Sequence, residues 1–411
     1  MNLRLLIKFI KLMARKDSME ELQSAFDSMN WDYYETDSSG DTQSTDSLSM
    51  NVLLVKMLLM RGVKLRGANG DDEPLFTAMK SWRGTSRVAE YLLDEYYRQG
   101  ISLASIRQEG YSVLHIAAQE LSPPALKKLL RRGCKVLVND ACTGIYEGVT
   151  PLFCCINSKH WWGNMKVLLR AGADIEARDT QGWTVLHVVS KARAILRGDF
   201  WFDENFDGTE EKACAIIRFL VKQGLDANAS DYVGNTPLLL YPPLPRFKQL
   251  LACGANPALR NDFGGTILHS LLSTRYDGRD DGGLLRSYLN DESFHWDFNA
   301  VDEHGRSLLF YALWTNNPAV FFLLLDKGAV PDVRAADRNG NTLLHAAMDV
   351  HDENGSGRKI VRMLLDRGAN PEAKNHDGKA PCDCGYGYTD TKDELIQELK
   401  RLHPEEIWVD C

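Results

Sequence analysis

Gly340-Asn341-Thr342-Leu343-Leu344-His345, with Leu364-Leu365-Asp366-Arg367-Gly368-Ala369-Asn370 about twenty residues beyond it, decides the fold, because versions of both halves recur along the 411-residue chain. The first half returns as Gly110-Tyr111-Ser112-Val113-Leu114-His115 and Gly182-Trp183-Thr184-Val185-Leu186-His187. It returns again as Gly264-Gly265-Thr266-Ile267-Leu268-His269, and with other closing residues from Gly148, Gly234 and Gly305. The second half returns at Leu168-Leu169-Arg170-Ala171-Gly172-Ala173-Asp174, at Leu250-Leu251-Ala252-Cys253-Gly254-Ala255-Asn256 and from Leu324 to Ala329. Weaker copies stand at Glu73-Pro74-Leu75-Phe76 and from Gly378 to Cys382.

Each part of the phrase has a physical use. Thr or Ser suits the N-cap of a first helix, and a following Pro is tolerated in its first turn. Leu and the small residues after it, such as Ala117, Ala118, Ala346 and Ala347, let helices approach closely. The leucine pair belongs to a second helix facing the core, and the Gly after it ends that helix in a left-handed conformation. The stretch Ala173 to Asp179 then runs outward into a β-turn finger completed by Asp-x-x-Gly. One such unit cannot bury its apolar face alone, so neighbours must stack.

Together the two phrases resemble the ankyrin repeat over residues 51 to 385 or so. The resemblance implies an all-α ankyrin-repeat solenoid of about nine helix-turn-helix units with β-hairpin fingers. It also implies a role in binding a protein partner. His115, His187, His269 and His345 share one repeat position, and the resemblance implies that each hydrogen-bonds neighbouring backbone rather than forming a metal or catalytic array.

Four segments follow: an amphipathic helical segment over 1–34, an acidic Ser/Thr-rich linker over 35–50, the solenoid over 51–390, and a capping helix and tail over 391–411. Arg4, Lys8, Lys11, Arg15 and Lys16 put a basic stripe on the first segment, with Leu3, Leu6, Ile10 and Met13 on another face. Lysines interrupt the apolar run and no small-residue cleavage site follows, which disfavours a secretory signal. Peripheral membrane contact, organelle targeting and a cover for the end of the solenoid stay open. Residues 17–50 invert the charge, with nine acids and no Lys or Arg.

Net charge of −8 argues against nucleic acid as partner, and no run of about 18 apolar residues exists to span a membrane. The nine cysteines have neither disulfide-framework nor zinc spacing, so they read as reduced, buried thiols in an intracellular setting, cytoplasmic or nuclear. No Walker loop, dinucleotide fingerprint, G-x-S-x-G, H-E-x-x-H or kinase signature is present, and no cofactor, metal or catalytic residue is assigned. Cys154 and Cys155 with nearby His160 form only a weak thiol–imidazole pattern.

Two surfaces are candidates for the partner. Repeat glycines at 110, 148, 182, 234, 264, 305, 340 and 378 are separated by 38, 34, 52, 30, 41, 35 and 38 residues, against an ideal of about 33. The excess falls between first and second helices. The largest insertion, Ile195 to Glu211, carries Phe200, Trp201 and Phe202 among acids, a composition suited to gripping a basic or amphipathic peptide or to covering a gap between helix pairs. The other surface is the finger tips, where Tyr111, Trp183, Tyr232, Phe263, His304, Arg338 and His376 flank repeat glycines. The expected activity is therefore a non-catalytic, monomeric scaffold or adaptor. The alternatives are a substrate-receptor or regulatory subunit, as in a ubiquitin ligase, and an enzyme with a site built from the insertions.

Overall fold

A computed structural model describes residues 74–80, 86–144, 147–191, 210–273, 283–291, 295–348, 350 and 355–384, with isolated positions 56, 65, 396, 397, 400 and 401. The N-terminal segment and linker, and Phe200, Trp201 and Phe202, lie outside the described residues. The chain divides into two compact units, one centred on Met1–Val185 and the other on Asp226–Cys411, with short exchanged pieces between them.

In the first unit, α1 (Pro74–Lys80) pairs with α2 (Ser86–Arg98), α3 (Val113–Glu120) with α4 (Pro123–Arg131), and α5 (Pro151–Cys154) with α6 (Trp161–Ala171). First helices pack on first helices, α3 lying against α1 and α5, while α4 packs on α6. Helices α7 (Val185–Ser190) and α8 (Glu210–Lys222) lead into the second unit, whose further helices are α9 (Leu244–Ala252), α10 (Ile267–Ser273), α11 (Gly283–Leu289), α12 (Leu308–Trp314), α13 (Pro318–Asp326), α14 (Leu343–Ala347) and α15 (Ser356–Asp366). There α12 packs on α10 and α14, and α13 on α15. Each unit is a two-row stack of short helices.

The leucine pair divides its work. Leu168, Leu250, Leu324 and Leu364 are fully buried, while the second member of each pair is half-buried. After the pair, Gly172 takes φ 102° and Ala173 N–H donates to the Leu168 carbonyl at 2.9 Å, which closes α6.

The structure departs from the sequence expectation in two places. The repeat opening at Gly234 has only a turn over 237–240 where its first helix was expected. Pro242 and Pro243 lack the N–H groups a continuing helix needs, and Tyr241 turns the chain away with φ 46°. Ladder-paired strands occur among the described fingers only at β1 (Arg107–Gln108) and β2 (Tyr111–Ser112), with single bridges Val301–Ser307 and Ala336–Thr342. A finger's second arm runs straight into the next N-cap, so most fingers are closed turns rather than hairpins.

Candidate partner-binding surface

Six fingers are built by one device. An Asp or Asn carboxylate or amide oxygen accepts from the backbone N–H groups two and four residues on. Asp179 takes Gln181 and Trp183 (2.8 and 2.9 Å), Asp231 takes Val233 and Asn235 (3.0 and 2.7 Å), and Asn261 takes Phe263 and Gly265 (3.1 and 2.8 Å). Asp302, Asp337 and Asn375 repeat the pattern. This Asx turn holds the tip without help from a strand ladder.

Neighbouring fingers are then joined through the backbone. Asp262 N–H donates to Val233 O (3.1 Å), Glu303 to Phe263 O (2.8 Å), Arg338 to His304 O (2.8 Å) and His376 to Asn339 O (2.9 Å). The glycine makes this approach possible. Gly148 has φ 88°, and a Cβ on it would stand 2.6 Å from Asp179 Cα.

Position relative to that glycine decides which side chains meet solvent. One or two residues before it, Tyr232 (66% exposed), Phe263 (51%), Arg338 and His376 point outward, and His304 is half-exposed. One residue after it the chain has reversed, and the two aromatics at that place turn inward. Tyr111 (2% exposed) and Trp183 (7%) are therefore buried, which corrects their assignment to the tips. Tyr111 packs edge-on to His115 with centroids 5.6 Å apart. The repeat phrase itself does not mark the reversal, since aromatics stand on both flanks of the glycine.

The recurring histidines tie each first helix to the next finger. His115 Nδ1 accepts from Ser112 N–H (3.1 Å), so Nε2 carries the proton and donates to Val149 O (3.0 Å). His269 and His345 do the same toward Arg306 O and Lys379 O, and His187 Nε2 reaches Asn235 O at 3.0 Å. Burial pushes His115 down to about 4, and it lowers His269 and His345 in the same direction. Both nitrogens are committed, and the ring is neutral near pH 7.

Beside the fingers lies a shelf that the sequence reading missed. The Arg306 guanidinium sits 4.7 Å over the Trp314 ring and 3.7 Å from Asp337 Oδ2. Tyr311 O–H donates to Asp302 Oδ2 at 2.9 Å, and burial together with that bond pushes its hydroxyl up to about 12. Trp314 is 55% exposed. The signal was available: Leu308, Leu309, Ala312 and Leu313 fill the inner face of α12, which leaves Tyr311 and Trp314, three apart, on the other. Trp162, 47% exposed, stands in the first turn of α6 and lies under the Lys166 ammonium at 4.0 Å.

A family model described as Ankyrin repeat matches residues 339–376, which hold the Asp337 finger's closing residues, α14 and α15. The chain is an ankyrin-repeat protein. Ankyrin repeats form protein-interaction domains. The chain is 31% identical over 225 residues to Protein glp-1 of Caenorhabditis elegans, covering 51% of this chain and 16% of that protein. It is 31% identical over 201 residues to Protein lin-12 of the same organism (46% and 12%). It is 28% identical over 194 residues to human Neurogenic locus notch homolog protein 1 (39% and 7%). It thus spans at most 16% of the length of these relatives. Among solved structures, the ankyrin repeat domain of Bcl-3, described as a unique member of the IkappaB protein family, aligns with TM-score 0.38 and 21% identity over 70% of this chain and 100% of that one.

The Cys154–Cys155 pair of this ankyrin-repeat protein is placed against reactivity. Cys154 and Cys155 are buried and burial raises both well above the ordinary thiol range, while Cys134 is pushed up to about 12. A nucleophile paired with His160 needs the opposite shift. Among the described residues no group of three His, Cys, Asp or Glu is arranged to hold a metal ion, and no helix is long and apolar enough to cross a membrane.

Proposed function

We propose that this ankyrin-repeat protein is a non-catalytic, monomeric, intracellular scaffold that holds a protein partner on the second unit's finger tips. Tyr232, Phe263, His304 and Arg338 form the row, and the Arg306–Trp314 shelf adjoins it. The observation that carries the reading is the exposure of Tyr232 and Phe263, 66% and 51%, on turns fixed by both Asx and inter-finger bonds. A large aromatic on rigid backbone loses little further freedom on binding, which is the property of an anchor residue. Phe200, Trp201 and Phe202 of the insertion are proposed as a second contact. The buried free cysteines support a reducing compartment.

Affinity capture with the full chain tests both contacts. Tyr232→Ala, Phe263→Ala and Trp314→Ala together should lower recovery of the partners by tenfold or more, on the order of 1.4 kcal/mol. Phe200→Ala, Trp201→Ala and Phe202→Ala together should lower it by a smaller factor. Unchanged recovery with the first set sinks the finger-tip reading, and with the second set the insertion contact.

A further inference from the structure

A chain with net charge −8 contains two stretches rich in bases and free of acids. Residues 122–138 carry Lys127, Lys128, Arg131, Arg132 and Lys135, and residues 158–173 carry Lys159, Lys166 and Arg170. The structure makes them neighbours, because they contain α4 and α6, which pack together in the first unit. The helices meet closely where they begin: a Cβ on Gly163 would run into the Pro123 ring.

Lys128 and Arg132 turn to one side and both bind Asp94 of α2. Lys127, Arg131, Lys135 and Arg170 are exposed and make no ion pair among the described residues. Lys127 and Arg131 stand four apart on α4, and Trp162, Lys166 and Arg170 stand four apart on α6. Like charges at that spacing repel each other, and neither helix supplies an acid to relieve them. The result is a cationic face around an exposed indole.

We propose that residues 17–50 of the same chain dock on this face. Asp17, Glu20, Glu21, Asp27, Asp32, Glu35, Asp37, Asp41 and Asp46 supply the complementary charge without a single Lys or Arg, and Phe26, Trp31, Tyr33 and Tyr34 supply partners for Trp162. The tether reaches. Leu65 is buried in the first unit, where its carbonyl accepts from Tyr96 O–H of α2 at 2.8 Å, and residues 51–64 join the segment to it, a span of up to about 50 Å if extended. Pro74 begins α1, which packs on α2 and α3 of the same unit. Tethering also raises the effective concentration of the segment far above that of a free ligand. The basic residues at 4–16 are the competing site within the chain, whereas α4 and α6 hold their cations in fixed rows.

Zero-length carbodiimide cross-linking of the full chain, prepared as an equal mixture of ordinary and nitrogen-15 protein and read by mass spectrometry, decides the matter. Acids of 17–46 should join to Lys127, Lys135 or Lys166 within single molecules. Raising the salt from about 50 mM to about 500 mM should reduce these products several-fold. The ion pair Lys248–Asp291, 2.7 Å apart, serves as the internal control and must cross-link. With the control formed, products joining the acids only to Lys8, Lys11 or Lys16, products mixing the isotopes, or no product overturn the proposal. In a Lys127→Gln, Arg131→Gln, Lys166→Gln, Arg170→Gln variant with unchanged circular dichroism, cross-links to Lys135 should fall at least threefold, and an unchanged yield would equally overturn it.

Discussion

With Nδ1 of His115 accepting from the Ser112 amide and Nε2 donating to the Val149 carbonyl, a second ring proton would displace a backbone donor. That geometry, together with burial, holds the folded-state value near 4, below the unfolded value of about 6.5. Between those two values the unfolded chain binds a proton that the folded chain refuses. The contribution of His115 to stability is therefore complete above about pH 6.5 and lost as pH falls toward 4. His269 and His345 act in the same direction. Urea midpoints measured from pH 7 to pH 4.5 should fall, and His115→Gln should be less stable at pH 7 by about 1–2 kcal/mol with a shallower slope across that window. An equal slope in the variant would contradict the assignment. The glycines make a second residue-scale comparison. Gly148 and Gly172 both have positive φ, but only Gly148 faces neighbouring backbone. Gly172→Ala should cost about 1–2 kcal/mol, from left-handed strain alone. Gly148→Ala must also push Asp179 away and should cost more, as compared by denaturant titration.

At the scale of the helix the register is the testable matter. Leu168 and Leu364 are fully buried and Leu169 and Leu365 are not. Leu168→Ala or Leu364→Ala should cost about 2–5 kcal/mol by leaving a cavity, and Leu169→Ala or Leu365→Ala distinctly less; reversed costs would show the register shifted by one. This much was legible in the sequence, because the leucine pair and its glycine recur with little variation. Four residues before the buried leucine the reading fails. That place holds Val320 and Ile360 in two repeats but Asn164 and Arg246 in two others. Asn164 Nδ2 donates to the Ala118 and Leu121 carbonyls, and Arg246 Nη1 to those of Val189 and Lys191, so each satisfies the end of the preceding first helix. Only the packed repeats show what these polar residues face. The same holds for Tyr111 and Trp183, which look like tip residues until the chain's reversal at the glycine is seen. The short repeat at Gly234 was readable from Pro242 and Pro243, whose effect on the helix before them is purely local.

For the whole molecule, the scaffold and its contacts should separate experimentally. A core change such as Leu168→Ala alters capture of a partner only through the folded fraction, which stays near one while several kcal/mol of stability remain. Tyr232 and Phe263 are exposed and bury little area within the fold, so their removal should leave the melting temperature within about a degree or two. Their loss from an interface is another matter, since a buried aromatic anchor is worth about 2 kcal/mol or more, roughly thirtyfold in affinity. Melting curves and capture yields taken on the same preparations should therefore fall into two groups, with core variants moving the first and finger variants the second. Sedimentation should show one species of 46.3 kDa throughout. If capture instead followed melting temperature across both groups, the finger variants would be acting through the fold, and the partner would have to sit elsewhere on the stack.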